Sequence, residues 1–211
     1  MRITKKPEER RKELIDIAEQ LFMINGCEQT AVSDIVKKAR VAQGTFYYYF
    51  KTKEEILDAI IDRYINLTVE GMQKIADEKG TNAINKIVNI FLFSSSFRND
   101  RKSIMQYLHE DKNTHLHQKF ERKIPSETSG PLSKIISQGV EEKIFDTKYP
   151  KDAASAFIGV TAMVLRGIDN ADYQSEEWIR KFSATFDFLE RILGADKDLL
   201  FDVYKKKGGK I

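Results

Sequence analysis

Apolar residues recur with the period of an α-helix along most of this chain of 211 residues. One such set is Leu14, Ile17, Ala18, Leu21 and Phe22, and a longer set is Ile56, Leu57, Ile60, Ile61, Tyr64 and Ile65. No stretch shows the alternation of period two that is typical of a half-buried strand. Only four prolines interrupt the chain, so long helices are expected. The pattern therefore predicts an all-α protein.

Capping and turn residues predict where several helices begin and end. Pro7 suits the first position of a helix that ends at Asn25-Gly26, and Thr30 is the expected cap of a short second helix. The sequence Thr52-Lys53-Glu54-Glu55 is a capping box that starts a long helix reaching about Ala76. This is the only predicted helix that reaches from the N-terminal helices into the rest of the chain.

The second half of the chain gives a less regular pattern. Residues 111–131 predict no continuous helix, because Pro125, Ser129, Gly130 and Pro131 interrupt them. Pro150 then opens an unusually apolar helix that extends from Ala153 to Ile168. Ser175 is the expected cap of the next helix, and a charged tail is predicted to follow it.

The segment from Thr30 to Leu57, TAVSDIVKKARVAQGTFYYYFKTKEEIL, predicts two short helices joined by a turn at about Ala39–Ala42. This is the pattern of a helix-turn-helix, whose second helix can enter the major groove of DNA. Helices this short need a core to hold them. The residues expected to supply that core are Val32, Ile35, Val36, Val41, Phe46 and Phe50. A helix turns by about 100° per residue, so three consecutive tyrosines cannot all face one core.

The other residues of the second short helix have side chains that suit DNA. Gln43 can form two hydrogen bonds with adenine, and Tyr47 can offer its ring to a thymine methyl group. Gly44 would let the backbone approach closely. The remaining predicted contacts place hydroxyl or ammonium groups on phosphates: Thr45, Tyr48 and Tyr49 on the same helix, Thr30 and Ser33 before it, and Lys53 after it.

The charge distribution agrees with an anionic partner for the N-terminal part. Residues 1–53 contain eleven of the 35 basic and seven of the 32 acidic residues, a net charge of +4, which leaves −1 for residues 54–211. A surplus of this size is also common on ordinary protein surfaces, so charge by itself does not decide the function.

The stretch from Gly26 to Leu57 resembles the TetR family of repressors. The positions that fit the family pattern are Gly26, Thr30, Ile35, Val41, Gly44, Phe46, Tyr47, Phe50, Lys53, Glu54 and Leu57. Three positions depart from it: Cys27 replaces the usual aromatic residue, Val36 the usual alanine, and Arg40 the usual glycine. The first two changes look like packing adjustments, whereas Arg40 either adds a phosphate contact or is solvated.

The resemblance implies a homodimer with nine or ten helices per subunit, in which the last two long helices pair and the middle helices enclose an effector pocket. It implies a DNA-binding domain over residues 1–53, a ligand-binding and dimerisation domain over 54–205, and a basic tail over 206–211. Candidate effector contacts are Thr68, Met72, Phe91, Ser95, Met105, Leu108 and Phe157, although such residues are as often core as pocket. Candidate dimer contacts are Phe157, Gly159, Met163, Phe182, Phe186 and Leu189, because a helix that is apolar on every side needs burial on every side.

The predicted function is a dimeric transcriptional repressor that binds a palindromic double-stranded operator and is released by a small molecule. The alternative is a DNA-binding protein of the same kind that has no small effector and is controlled by a protein partner. An enzyme is disfavoured, because P-loop, GxSxG, HExxH and CxxC motifs are lacking. No catalytic residue, metal or cofactor is expected; His115 and His117 would lie about 200° apart on a helix, too far to share a metal.

The sequence also indicates where such a protein works. Cys27 is the single cysteine, so an intramolecular disulfide is excluded and a reducing cytoplasm is expected. We expect its side chain to be a small buried hydrophobe. The first residues lack the apolar stretch of a secretory signal, and no run of eighteen apolar residues occurs, so no membrane contact is expected.

Overall fold

The computed structural model describes residues 5–108, 110, 113–165 and 175–209, without the side chain of residue 98. These residues form ten α-helices: α1 (Pro7–Asn25), α2 (Val32–Ala39), α3 (Gln43–Tyr49), α4 (Lys53–Asp77), α5 (Ala83–Asn99), α6 (Lys102–Leu108), α7 (Thr114–Glu141), α8 (Pro150–Val164), α9 (Glu176–Leu193) and α10 (Leu199–Lys206). No strand occurs among them. The prediction of an all-α protein is confirmed. None of the described helices combines the length and the apolar character that a membrane span needs.

The chain packs as two compact units. Unit 1 comprises Met1–Asn66 and Arg98–Phe120, and unit 2 comprises Leu67–Phe97 and Glu121–Ile211. The helices α4, α5 and α7 each contribute residues to both units. The prediction that α4 alone spans both parts of the chain is therefore wrong. The predicted functional domains 1–53, 54–205 and 206–211 stay a prediction, because packing alone does not assign function.

In unit 1, the first three helices pack around a small apolar core. Leu14, Ala18 and Phe22 of α1 are fully buried, and so are Ile35 of α2 and Phe46 of α3. The helices α2 and α3 are eight and seven residues long, too short to persist without this core. Their lengths and the turn between them agree with the predicted helix-turn-helix.

The caps of α2 and α4 differ in how well the sequence predicts them. The expected cap at Thr30 is wrong: the helix is capped at Ala31, whose N–H donates to the Asp34 carboxylate at 2.9 Å. The fully buried Thr30 hydroxyl donates instead to the Gly26 carbonyl at 2.8 Å. At α4 the Thr52 hydroxyl accepts from the Glu55 N–H at 3.2 Å, as predicted.

The α7 helix runs through the segment for which no helix was predicted. It extends over 28 residues and contains both Pro125 and Pro131. A proline inside a helix costs about 3 kcal/mol, because it removes a hydrogen bond and crowds the preceding turn. Packing offsets that cost, since Ile135 and Ile136 of the same helix are fully buried in the core of unit 2. The Thr128 hydroxyl, between the two prolines, donates to the Ile124 carbonyl at 2.6 Å.

The core of unit 2 is rich in aromatic rings. Its ring contacts, with centroids 4.5–5.6 Å apart, join Phe91, Phe157, Trp178, Phe182, Phe186 and Tyr204. The predicted cap at Ser175 is confirmed, because its hydroxyl accepts from the Trp178 N–H at 3.2 Å. The α8 helix begins at Pro150 as predicted and ends at Val164. Residues 166–168, the end of the predicted helix, lie outside the described residues.

The C-terminal helix α10 lies where only a charged tail was predicted. Leu200 is fully buried and Tyr204 is nearly so. The buried Glu190 carboxylate of α9 accepts from the backbone N–H groups of Asp198 and Leu200, each at 2.8 Å. Burial raises the pKa of Glu190, while these N–H donors act to lower it. This side chain therefore holds the start of α10 through contacts eight and ten residues along the chain.

Candidate nucleic-acid interface

The α3 helix has one face that is anchored and one that is open. Phe46 is fully buried and Phe50, which caps the helix, is 2% exposed. The Arg11 guanidinium lies over the Phe50 ring, 5.0 Å from its centroid. The helix is therefore held by its aromatic residues against the core of unit 1.

Most of the side chains predicted to contact DNA lie on the open face. Gln43 and Gly44 are exposed, while Thr45 and Tyr49 are half-buried. Tyr47 is 42% exposed and Tyr48 is 73% exposed, as expected for consecutive tyrosines that cannot share one core. An exposed aromatic ring costs solvation free energy unless a partner covers it, so this face favours a partner that accepts both rings and hydrogen bonds.

The exposed tyrosines are braced by neighbouring rings. The Tyr47 ring meets Phe46 edge to face, with centroids 5.5 Å apart, and Tyr48 meets Tyr49 in the same way at 4.8 Å. Such pairs contribute roughly 0.5–1.5 kcal/mol beyond area burial. Bracing of this kind limits the side-chain entropy that binding would cost.

Gly44 has no reason within the fold to be glycine. A Cβ atom placed there would meet nothing within 4 Å, and the backbone is helical, not left-handed. Glycine inside a helix costs roughly 0.5–1 kcal/mol relative to alanine. The absent side chain therefore leaves room at the surface for a partner outside the described protein.

Thr30 and Ser33, the two predicted phosphate contacts at the start of α2, differ in exposure. Ser33 is exposed on α2. Thr30 is fully buried, and its hydroxyl already donates to the Gly26 carbonyl. A phosphate contact through the Thr30 side chain is therefore a prediction that the structure corrects, because the oxygen faces the end of α1.

Lys53 has contacts that its sequence position did not indicate. Its ammonium group donates to the backbone carbonyls of Cys27 at 2.8 Å, Thr30 at 3.3 Å and Glu28 at 3.4 Å. It thus joins the start of α4 to the loop between α1 and α2. Its nearest acceptor lies 26 residues away along the chain, so no local signal could have revealed this role. The predicted phosphate contact of Lys53 stays a prediction.

Cys27 lies under the same loop and is inert. It is 2% exposed, which confirms the prediction of a small buried hydrophobe. Burial raises the pKa of its thiol to about 12, against a smaller opposing effect of Lys53. Since the thiolate is the reactive form, Cys27 is protonated and unreactive at neutral pH.

The predicted effector residues are mostly core residues. Thr68, Met72, Phe91 and Phe157 are buried in unit 2, Met105 and Leu108 are buried in unit 1, and Ser95 is exposed. One described cavity, of about 490 Å³, lies in unit 2 among Val140, Lys143, Ile144, Phe145, Asp146, Gly194, Asp196 and Leu199. Another, of about 320 Å³, lies in unit 1 among Thr52, Glu54, Glu55, Asp58, Asn113, His115 and Leu116. Neither cavity is lined by a predicted effector residue.

The predicted dimer residues divide into buried and exposed sets. Phe157, Phe182, Phe186 and Leu189 are at most 4% exposed within one protomer, so they have almost no surface left for a partner. Their assignment to a subunit interface is corrected. Gly159 is exposed and Met163 is 70% exposed. Ile179 and Phe188 of α9 are also exposed, at 38% and 44%, although they were not singled out from the sequence.

Residues 14–60 match the family described as "Bacterial regulatory proteins, tetR family". The fatty acid metabolism regulator protein of Bacillus subtilis is 41% identical over 69 residues, 33% of this chain and 36% of that protein. The transcriptional repressor KstR2 of Mycolicibacterium smegmatis is 30% identical over 88 residues, 42% of each chain. The chain thus covers less than half the length of these two relatives.

Solved structures resemble most of the fold. A transcriptional regulator from Cytophaga hutchinsonii has a TM-score of 0.67 at 18% identity, covering 90% of this chain and 96% of its own. RolR in complex with resorcinol has a TM-score of 0.64 at 14% identity, covering 95% of both chains. These likenesses extend the comparison from the N-terminal helices to the helical remainder. The resemblance to the TetR family predicted from residues 26–57 is confirmed for the N-terminal helices, where residues 14–60 match that family.

Proposed function

We propose that this protein is a transcriptional repressor that binds a palindromic operator as a dimer and releases it when a small molecule binds. The observation that carries the proposal is the open face of α3. Gln43, Tyr47 and Tyr48 project from a helix whose other side is fixed by Phe46. Base edges in a major groove offer acceptors, donors and methyl groups, which these side chains complement. Such a role belongs in the cytoplasm, where bacterial DNA lies.

The DNA part of the proposal is tested by selecting duplexes from a random pool with the purified full-length protein. We expect an inverted repeat whose half-sites are one or more helical turns apart, about 34–36 Å per turn, because two copies of α3 must each reach a groove. Enrichment of a single unrepeated half-site would contradict the dimeric mode. Absence of any enriched sequence would contradict DNA recognition by α3.

The dimer part of the proposal rests on an exposed apolar strip of α8. Ala156, Gly159 and Met163 recur at a spacing of three and four residues, which places them on one helical face. Small residues allow close helix approach, and Ile179 and Phe188 add apolar surface on α9. We propose that the α8–α9 face of one protomer packs on the same face of its partner, as closed two-fold dimers do.

The effector part of the proposal is supported by a protein of similar fold, RolR, whose structure contains resorcinol. In this chain α4 is one uninterrupted helix whose first residues belong to unit 1 and whose last belong to unit 2. We propose that effector and operator oppose each other by roughly 1–3 kcal/mol of coupling, transmitted at least in part through α4. The measurement is effector affinity with and without operator, and operator affinity with and without effector, whose two ratios must agree.

A second candidate function is the same DNA binding without a small effector, controlled by a protein partner. It is favoured by the burial of Met72, Phe91 and Phe157 in the core of unit 2, because none of the three lines either described cavity. The rings of Phe91 and Phe157 contact each other, with centroids 5.6 Å apart. A thermal-stability screen of metabolites separates the two candidates, since a ligand of the folded state raises the melting temperature. A tight ligand that leaves operator affinity unchanged would favour the second candidate.

A further inference from the structure

A cluster of basic residues lies at the end of α2 and in the turn that follows. Lys37, Lys38 and Arg40 are all exposed. None of the three side chains forms an ion pair, a hydrogen bond or a ring contact with any residue that the structure describes. We call these three residues the turn cluster. Lys37 and Lys38 lie in the last turn of α2, where the helix dipole favours cations, whereas Arg40 lies beyond the helix without a paired carboxylate, which favours an anionic partner.

Arg40 differs from the other arginines of unit 1 whose side chains are described. Each of those has an intramolecular partner: Arg10 pairs with Glu13, Arg63 with Asp16 and Glu19, Arg101 with Glu19, and Arg11 lies over the Phe50 ring. Arg40 faces neither a carboxylate nor a ring. The guanidinium that lies nearest in sequence to α3 is thus the one left available for a ligand.

The backbone at Arg40 holds an unusual conformation firmly. Its φ of 53° and ψ of 44° are left-handed, which glycine adopts freely and a side chain with a Cβ atom disfavours. The Arg40 N–H donates to the Lys37 carbonyl at 3.2 Å, and the Val41 N–H donates to the Val36 carbonyl at 3.1 Å. Arg40 therefore occupies a backbone position whose conformation favours glycine.

The position of the turn cluster is set by the helix-turn-helix. Only Val41 and Ala42 separate Arg40 from Gln43, the first residue of α3. A helix that enters a major groove has a phosphate chain on either side of it, and the turn before the helix lies beside one of them. The fork of a guanidinium matches two phosphate oxygens, while the two ammonium groups supply point charges.

We propose that the turn cluster, with Arg40 as its central member, binds the phosphate backbone beside the groove that α3 enters. The inference rests on the proposed function, because it needs α3 to lie in a groove. It makes Arg40 a positioning residue that adds affinity for every sequence and helps set the depth of α3, without reading a base itself.

The experiment measures operator binding by the full-length protein between 50 and 200 mM salt. Each phosphate contact adds about 0.9 to the slope of log affinity against log salt. Arg40→Gln should therefore reduce that slope by about 0.9, so that its affinity deficit shrinks about 3.5-fold between the two salt concentrations. Arg40→Lys should retain most of the slope, and base preference should be unchanged. Glycine fits the left-handed backbone at this position, so Arg40→Gly should not strain the fold. It should reduce the salt slope by the same amount as Arg40→Gln.

Lys74→Gln is the matched control, because Lys74 is an exposed, unpaired lysine on α4 in unit 2, outside the helix-turn-helix. Its slope should equal that of the wild type. An unchanged slope in both Arg40→Gln and Arg40→Gly would overturn the phosphate contact. A changed base preference would overturn it as well, since Arg40 would then read a base. If the wild-type protein bound no duplex at all, the proposed function itself would fail. That outcome is distinguishable from an unchanged salt slope and from a changed base preference, both of which require DNA binding by the wild type.

Discussion

Two surfaces of this protein expose side chains that one protomer leaves uncovered, and they differ in chemistry. The α3 surface, defined by Gln43, Gly44, Tyr47 and Tyr48, carries amide and hydroxyl groups beside its rings. The α8 surface, defined by Ala156, Gly159, Ala162 and Met163, carries none. A polar partner can satisfy the hydrogen-bonding groups of the first, whereas the second gains only from an apolar partner. The difference supports our proposal of DNA as the partner of the first surface and a second protomer as the partner of the other.

Each surface contains a glycine that the protomer does not require. A Cβ atom at Gly44 or at Gly159 would meet nothing within 4 Å. Substitutions at these two positions therefore change what a partner meets while leaving the protomer intact. They provide matched probes of the two surfaces, one for each proposed partner.

The largest effect on operator affinity is expected from Gly159→Glu on the α8 surface. A carboxylate in the middle of an apolar interface loses its hydration without gaining a counter-charge, which costs several kcal/mol. We expect the dimer to dissociate at micromolar concentration and operator affinity to fall by about 100-fold or more, because a single half-site is a weak target. Analytical ultracentrifugation and operator binding measure the two effects.

The control for this variant is Gly130→Glu on α7. Gly130 is also an exposed helical glycine, and a Cβ atom built there would meet nothing within 4 Å beyond its chain neighbours. It should leave both assembly and operator affinity unchanged. A dimeric Gly159→Glu protein with full operator affinity would remove the α8 surface from the interface and break the comparison.

A smaller and more specific effect is expected from Gln43→Ala on the α3 surface. Loss of a bidentate contact with one base should cost about 1–3 kcal/mol on the cognate operator and relax preference at one base-pair position. The measurement is binding to a set of operators that each carry one altered base pair. If every operator in the set weakened equally, Gln43 would contact the backbone, and the α3 surface would read sequence through its tyrosines alone.

The N-terminal helices could be predicted from sequence because local and long-range preferences agree there. Pro7 opens α1, and Gln43–Tyr49 forms α3 with the predicted bounds. The error at Thr30 has a local origin. A threonine hydroxyl can cap the helix that follows or donate to a carbonyl behind it, and only the packed loop selects the second.

Unit 2 was harder to predict because distant contacts override local preferences. The prolines of α7 indicate a break, yet burial of Ile135 and Ile136 keeps the helix continuous. The apolar period of α9 correctly indicates that Phe182 and Phe186 are buried. Periodicity identifies the buried face but not the chain that buries it, and the covering residues belong to the same protomer.

Lys53 tests how far the α3 surface extends toward α4. The sequence assigns its ammonium group to a phosphate, whereas in the structure it contacts three carbonyls of the preceding loop. We expect Lys53→Met to lower the free energy of unfolding by about 1 kcal/mol, since the hydrogen bonds of a half-buried ammonium group to the loop carbonyls are lost. Denaturant unfolding measures this change. Unaltered stability together with a salt slope reduced by about 0.9 would assign Lys53 to the DNA surface instead.

The smallest effect, and the most discriminating one, is expected from Gly44→Ala. Alanine should raise the free energy of unfolding by about 0.5–1 kcal/mol, because it restricts the unfolded chain and favours the helix. The same methyl group should weaken operator binding, because it occupies the space through which the backbone would approach DNA.

Denaturant unfolding and operator affinity are measured on the same protein samples. A Gly44→Ala protein that is more stable and binds its operator as well as the wild type would show that DNA keeps its distance from the first turn of α3. Gln43 and Tyr47 would then have to reach the bases across a wider gap, and the role of Gly44 in recognition would be withdrawn.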